Sequence, residues 1–169
     1  MTLNDILLDL FGRITYHVEE TLAGLDVDAL VRTMAPGTNP IGWLVWHLTR
    51  VQDHHMAEIL DDPQIWVSGA WAARFGLAEG PDNTGYGHGP AEVAGVRPES
   101  ADALLEYYRA VAERTNRFLE RVDGAELDRI VDRRWDPPVT LGVRLVSIAD
   151  DDIQHAGQAA YLRGLLGVG

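Results

Sequence analysis

The sequence contains no cysteine and no lysine. The first absence excludes disulfides, thiolate-ligated zinc and a nucleophilic cysteine carried by the chain itself. The second leaves arginine to supply all 14 basic side chains against 26 acidic ones, a net charge of −12. So acidic a surface repels phosphate backbones, and nucleic acid is not an expected partner. Long apolar runs are missing too. The longest uncharged stretch, residues 33–49, is broken by Pro36, Gly37, Asn39, Pro40 and His47 and is no membrane span. The opening "MTLNDILLDLFG" carries Asp5 and Asp9 and no basic lead, so no secretory leader is expected, and the expected location is the cytoplasm. No internal repeat or low-complexity tract is visible.

What is present is helical patterning. With 169 residues, 46% of them hydrophobic, the chain suits a single domain (residues 1–169) with one core. Leu3, Ile6, Leu7, Leu10, Phe11, Ile14, Val18 and Leu22 recur at helical spacing, and Thr2 with Asp5 forms a capping-box pattern. A second helix begins at "NPIGWLVWHLTRVQDHHMAEIL", with Asn39 as the expected cap and Pro40 in the first helical position, and ends near Asp61. A third runs from Ser100 to about Val122, with Gly124 marking its exit. The fourth follows Pro137-Pro138, is capped by Thr140 and reaches about Leu166.

The connections are long. Residues 26–39 and 123–139 each have room for a short helical turn, and "RIVDRRW" at 129–135 reads as a short extended piece. Residues 62–99 are rich in Gly and Pro yet carry Trp66, Trp71, Phe75 and Tyr86. A loop of that length is functional or disordered, and its aromatics argue for order. The expected fold is all-α: a four-helix bundle with long crossover connections, whose core can build a site from facing helices.

The chemistry concentrates in "DDIQHAGQ", residues 151–158. Asp151 and His155 stand at i and i+4 on one helix face, and Asp152 and His155 at i and i+3. Either carboxylate can share an ion with His155; the plain alternative is a solvated ion pair in an acidic patch. The apolar neighbours Ile148, Ile153, Ala156 and Ala159 favour a site near the core, where an ionisable pair needs partners or a metal. A catalytic zinc site takes three protein ligands and leaves one position open. The third must come from another helix. His47 follows "WLVW" and His54 shares its face, but seven residues separate them by about 10 Å along the axis, so one ion cannot use both. His47 has the more apolar surroundings, His54 lines the same groove, and His55 points elsewhere. His17 reads as exposed beside Glu19 and Glu20. His88 lies in "NTGYGHGP", within reach of a ligand over the groove; the glycines there form no phosphate-binding fingerprint.

"NPIGWLVWHLTRVQDHH" followed by "DDIQHAGQAAYLRG" resembles the DinB/YfiT-like superfamily over nearly the whole chain. The resemblance implies a four-helix bundle, a homodimer in many members, and a divalent metal, zinc above all, held by three helix-borne ligands. His47 matches the first ligand and His155 the last. The middle position, histidine in many members and glutamate in the mycothiol-dependent branch, is here Asp151. The likeness is strongest to the mycothiol S-transferases, and the lysine-free composition fits an actinobacterial source. On that footing the thiol cosubstrate is mycothiol, the second substrate a small electrophile, and the role detoxification. No catalytic residue beyond the metal ligands is required. Asp152 and Gln158 are the candidates for orienting a ligand imidazole. Trp43, His54, Tyr86 and His88 are candidates for shaping the electrophile pocket. Arg163 either meets an anionic group or is a surface arginine. The alternatives are a metal-dependent hydrolase or isomerase on the same residues, and a non-enzymatic metal-binding stress protein.

Overall fold

A computed structural model describes residues 1–167 and is mostly helical. Four long helices, α1 (Leu3–Leu22), α3 (Ile41–Leu60), α6 (Ala101–Leu119) and α7 (Leu141–Leu166), are joined by segments holding the short helices α2 (Val27–Val31), α4 (Ile65–Ser68) and α5 (Pro90–Gly95). Single 3-10 turns occupy Ala72–Phe75 and Gly124–Asp128, and the strands β1 (Ile130–Asp132) and β2 (Val139–Thr140) pair antiparallel just before α7. Among the described residues no helix is long and apolar enough to cross a membrane.

The helix starts follow their caps. Thr2 and Asp5 bond reciprocally across the first turn of α1, Ser100 accepts from the Ala103 amide, and Thr140 accepts from the Val143 amide. The second helix departs from the expected pattern. Pro40 is itself the extended N-cap residue, no side chain caps the turn, and the helix opens at Ile41. Nor does Gly124 end α6, which stops at Leu119; the glycine opens the following 3-10 turn, capped by Asp123.

Helix α7 packs on α1 and α3, and α6 packs on the same two, so the four form a ring in which α1 faces α3, and α6 faces α7, across the diagonals. This explains two of the long connections. The chain must cross a diagonal from α1 to α3 and again from α6 to α7, which a tight turn cannot span. The third connection joins neighbours, α3 to α6, and is free to fold over the end of the bundle as the excursion 61–100.

That excursion is ordered by its aromatics. Trp66 and Phe75 are buried and cluster with Tyr107 of α6 at centroid distances of 5.4 and 5.9 Å. Below them lies a buried polar knot. Asp53 accepts from the Ile65 and Trp66 amides, the Tyr107 hydroxyl and Arg114, and Arg50 lies beside it. Every residue from Ile41 to Arg50 is buried or nearly so, since α2, the excursion, α6 and α7 cover α3 from all sides. His47 is buried for that reason.

Candidate metal centre

Helices α3 and α7 bring His47, Asp151 and His155 together: one donor atom from each lies within 4.8 Å of the others. His47 Nε2 is 4.0 Å and His155 Nε2 3.6 Å from Asp151 Oδ1, and the two imidazole centroids are 4.8 Å apart at 78°. The donors come from i and i+4 on α7 and from one buried position on α3, which is the helical geometry for convergence on one point.

Each imidazole is held from behind. His47 Nδ1 donates to the Thr84 carbonyl at 2.5 Å, and His155 Nδ1 donates to Gln158 Oε1 at 3.0 Å. With the Nδ1 proton engaged outward, each ring turns the lone pair of Nε2 toward Asp151. Trp43 stacks on His47 at 4.6 Å and 14° and meets His155 edge-on at 6.1 Å, closing the inner wall. Burial holds the His47 pKa below the ordinary histidine value, against the upward pull of the Thr84 carbonyl and Asp151. Burial likewise raises Asp151, against the downward pull of the two imidazoles. Asp151 Oδ2 is buried with no hydrogen-bond partner. Two imidazoles with Nε2 turned inward and a desolvated carboxylate with an orphaned oxygen form a donor set short of a cation, and it fits a divalent metal.

Outward from this cluster, a groove of about 370 Å³ is lined by His47, Val51, His54, His55, Asp82, Thr84, Tyr86, Ser147 and Asp151. His54 and Tyr86 therefore stand where a substrate bound in the groove would meet them. His55, expected to point elsewhere, lines the groove too. His54, His55 and Glu58 also lie within 4.8 Å of one another, but their atoms are engaged. Arg144 donates to His55 Nε2, which puts the His55 proton on Nδ1 facing Glu58, and Glu58 is paired with Arg134.

Three further residues stand apart from the roles read from sequence. Asp152 orients neither imidazole: it is fully buried, both its oxygens lack hydrogen-bond partners, and burial raises its pKa well above the carboxylate range. One residue further along an α-helix is a rotation of about 100°, which takes it off the face of Asp151. His88 does not reach over the groove. It accepts from Trp43 Nε1 at 3.2 Å, donates to Asn83 Oδ1 at 2.8 Å and stacks on Trp46, so it ties the loop to α3. Arg163 donates to the Thr21 and Ala23 carbonyls and caps the C-terminal end of α1. The Thr84 carbonyl escaped the sequence reading because a backbone acceptor has no side-chain signature. The only trace of it was the glycine beside it in "NTGYGHGP".

Comparison with known proteins places the chain in a family. No curated protein matches the chain. Among solved structures, a conserved protein from Enterococcus faecalis superposes with a TM-score of 0.87 at 31% identity, covering 96% of each chain. The family model described as Mycothiol-S-transferase matches residues 6–167, from α1 to the end of α7. The chain therefore belongs to the DinB-like mycothiol S-transferase family.

Proposed function

We propose that the protein is a divalent-metal-dependent S-transferase that joins a low-molecular-weight thiol, mycothiol, to small electrophiles. The observation that carries this reading is the convergence of two Nε2 lone pairs and one desolvated carboxylate beside an open groove that His47 and Asp151 line. Family membership supports the thiol, and the chain, having no cysteine, must take its sulfur nucleophile from a cosubstrate.

His47, Asp151 and His155 would hold the ion, which zinc suits. When bound, the ion supplies a Lewis acid that lowers the pKa of a coordinated thiol, which is otherwise near 8.5 and mostly protonated at neutral pH. Gln158 and Thr84 keep both imidazoles in the tautomer that can ligate. Asp151 contributes a negative charge that two histidines alone would not, so the site keeps its sulfur more electron-rich than an all-histidine set. Trp43 would shield the inner side from water by stacking on His47. Val51, His54 and Tyr86 border the space from which the electrophile approaches. The reaction forms a sulfur–carbon bond, expels the leaving group with its bonding pair and releases the thiol proton.

Elemental analysis of purified protein, paired with thiol consumption against a bimane or dinitrobenzene electrophile, tests the proposal. One divalent ion per chain and turnover that needs mycothiol are expected. Protein that binds no divalent ion at stoichiometry, or that hydrolyses esters or amides with no thiol present, overturns it.

A further inference from the structure

Three carbonyls of the loop that follows Gly80 point at α3, and two side chains of that helix take them all. Arg50 donates from Nη2 to the Pro81 carbonyl at 2.9 Å and from Nε to the Asn83 carbonyl at 3.0 Å. One turn earlier, His47 donates from Nδ1 to the Thr84 carbonyl. Arg50 is fully buried, over the Trp66 ring and beside Asp53 and Tyr107, so the loop is anchored to the polar knot in the core. Its far side is tied by His88, through Trp43 and Asn83.

The loop approaches this closely because of Gly85. A Cβ there would lie 2.7 Å from His47 Nδ1, 2.9 Å from Trp46 and 3.1 Å from Trp43, and φ is +93°, a conformation that favours glycine. A carbonyl can only accept. Thr84 therefore requires the proton on Nδ1 of His47 and leaves Nε2 free to face Asp151. Resting on the metal-binding reading above, we propose that the segment from Pro81 to Gly85 is a positioning element that selects the ligating tautomer and ring plane of His47, and that Gly85 is the residue that permits it.

Gly87 provides the control. It also has positive φ, +77°, but a Cβ there meets nothing within 4 Å. Gly87→Ala thus incurs backbone strain of the same kind without touching His47. The experiment compares wild type, Gly85→Ala and Gly87→Ala by competitive zinc titration against a chelating dye, by thermal unfolding, and by nitrogen-15 NMR of the metal-free imidazoles at pH 8. Gly85→Ala should weaken zinc binding about 10- to 100-fold, the range for loss of a partner that orients a ligand, and should turn His47 from a single Nδ1–H tautomer into a mixture. Gly87→Ala should bind zinc within about twofold of wild type, as a site not coupled to the ligand does. Wild-type affinity in Gly85→Ala, or an equal loss in Gly87→Ala, overturns the proposal. Should Gly85→Ala not fold, the wild-type spectrum decides: an Nε2–H form of His47 overturns the proposal and an Nδ1–H form supports it. Wild-type protein that binds no zinc removes the proposed function, while the tautomer measurement still judges the loop.

Discussion

His47 and His155 lie far apart in the sequence, yet their rings stand 4.8 Å apart at 78°, each fastened at Nδ1 and each turned toward Asp151. The arrangement is costly without a cation. Burial lowers the pKa of one imidazole and raises that of the carboxylate, so both groups are pushed toward their neutral forms. Stability and function oppose each other here, as they commonly do at sites.

The opposition is measurable at Asp151. A carboxyl raised above its unfolded value contributes instability once pH exceeds that unfolded value, because the unfolded chain then releases its proton first. At neutral pH Asp151→Asn in the metal-free protein should therefore raise the melting temperature, by about 2–4 °C per kcal/mol regained. The same variant should lose zinc affinity by more than about 100-fold, beyond the effect of an outer partner. Calorimetry with and without zinc checks both signs.

His55 makes a separate pH prediction. Burial and the neighbouring Arg144 push its pKa down to about 4, against the upward pull of Glu58 and with His54 adding to the depression. The unfolded chain binds this proton near pH 6.5 and the folded one only near 4, so stability falls as pH drops through that window. The full effect is at most roughly 3 kcal/mol. His55→Gln should flatten urea-unfolding stability between pH 7 and 4.5 relative to wild type.

Asp53 is the centre of the buried knot, with Arg50, Arg114, Tyr107 and two amides depending on it. Asp53→Ala leaves two buried guanidinium groups without their anion, a loss of about 3–5 kcal/mol. The expected drop in melting temperature is about 6–20 °C. Zinc affinity should fall with it, since Arg50 then loses its support beneath the loop.

Arg163 separates stability from the site. Arg163→Ala removes the donor to the Thr21 and Ala23 carbonyls and should cost about 1 kcal/mol. Zinc affinity and thiol turnover should match wild type, which a titration and a steady-state assay will show. A change in turnover would instead favour the reading in which Arg163 meets an anionic group.

The pair Asp151 and His155 was legible as a candidate because helical periodicity alone puts i and i+4 on one face. The apolar run around His47 marked that histidine for burial in the same way. Asp152 is only one residue from Asp151, and spacing to His155 could not separate them; the rotation of α7 against α1 and α3 did. His88 and Arg163 looked available because both are polar and in plausible places, and each instead satisfies backbone or ring partners on another element.

Local chemistry by itself settled the four long helices, their apolar faces and which residues share a face, since these depend on neighbours within a turn; it missed the uncapped start of α3 at Pro40 and the end of α6 at Leu119. Family resemblance in "WLVWH" and "DDIQHAGQ" added the pairing of two distant segments. Only the tertiary structure decided that Thr84 stands behind His47, that Gly85 lets it approach, and that Arg50 carries the loop from below. Those are backbone carbonyls and packing distances between elements far apart in sequence. A carbonyl is common to every residue, so no pattern of side chains can announce which one will be used.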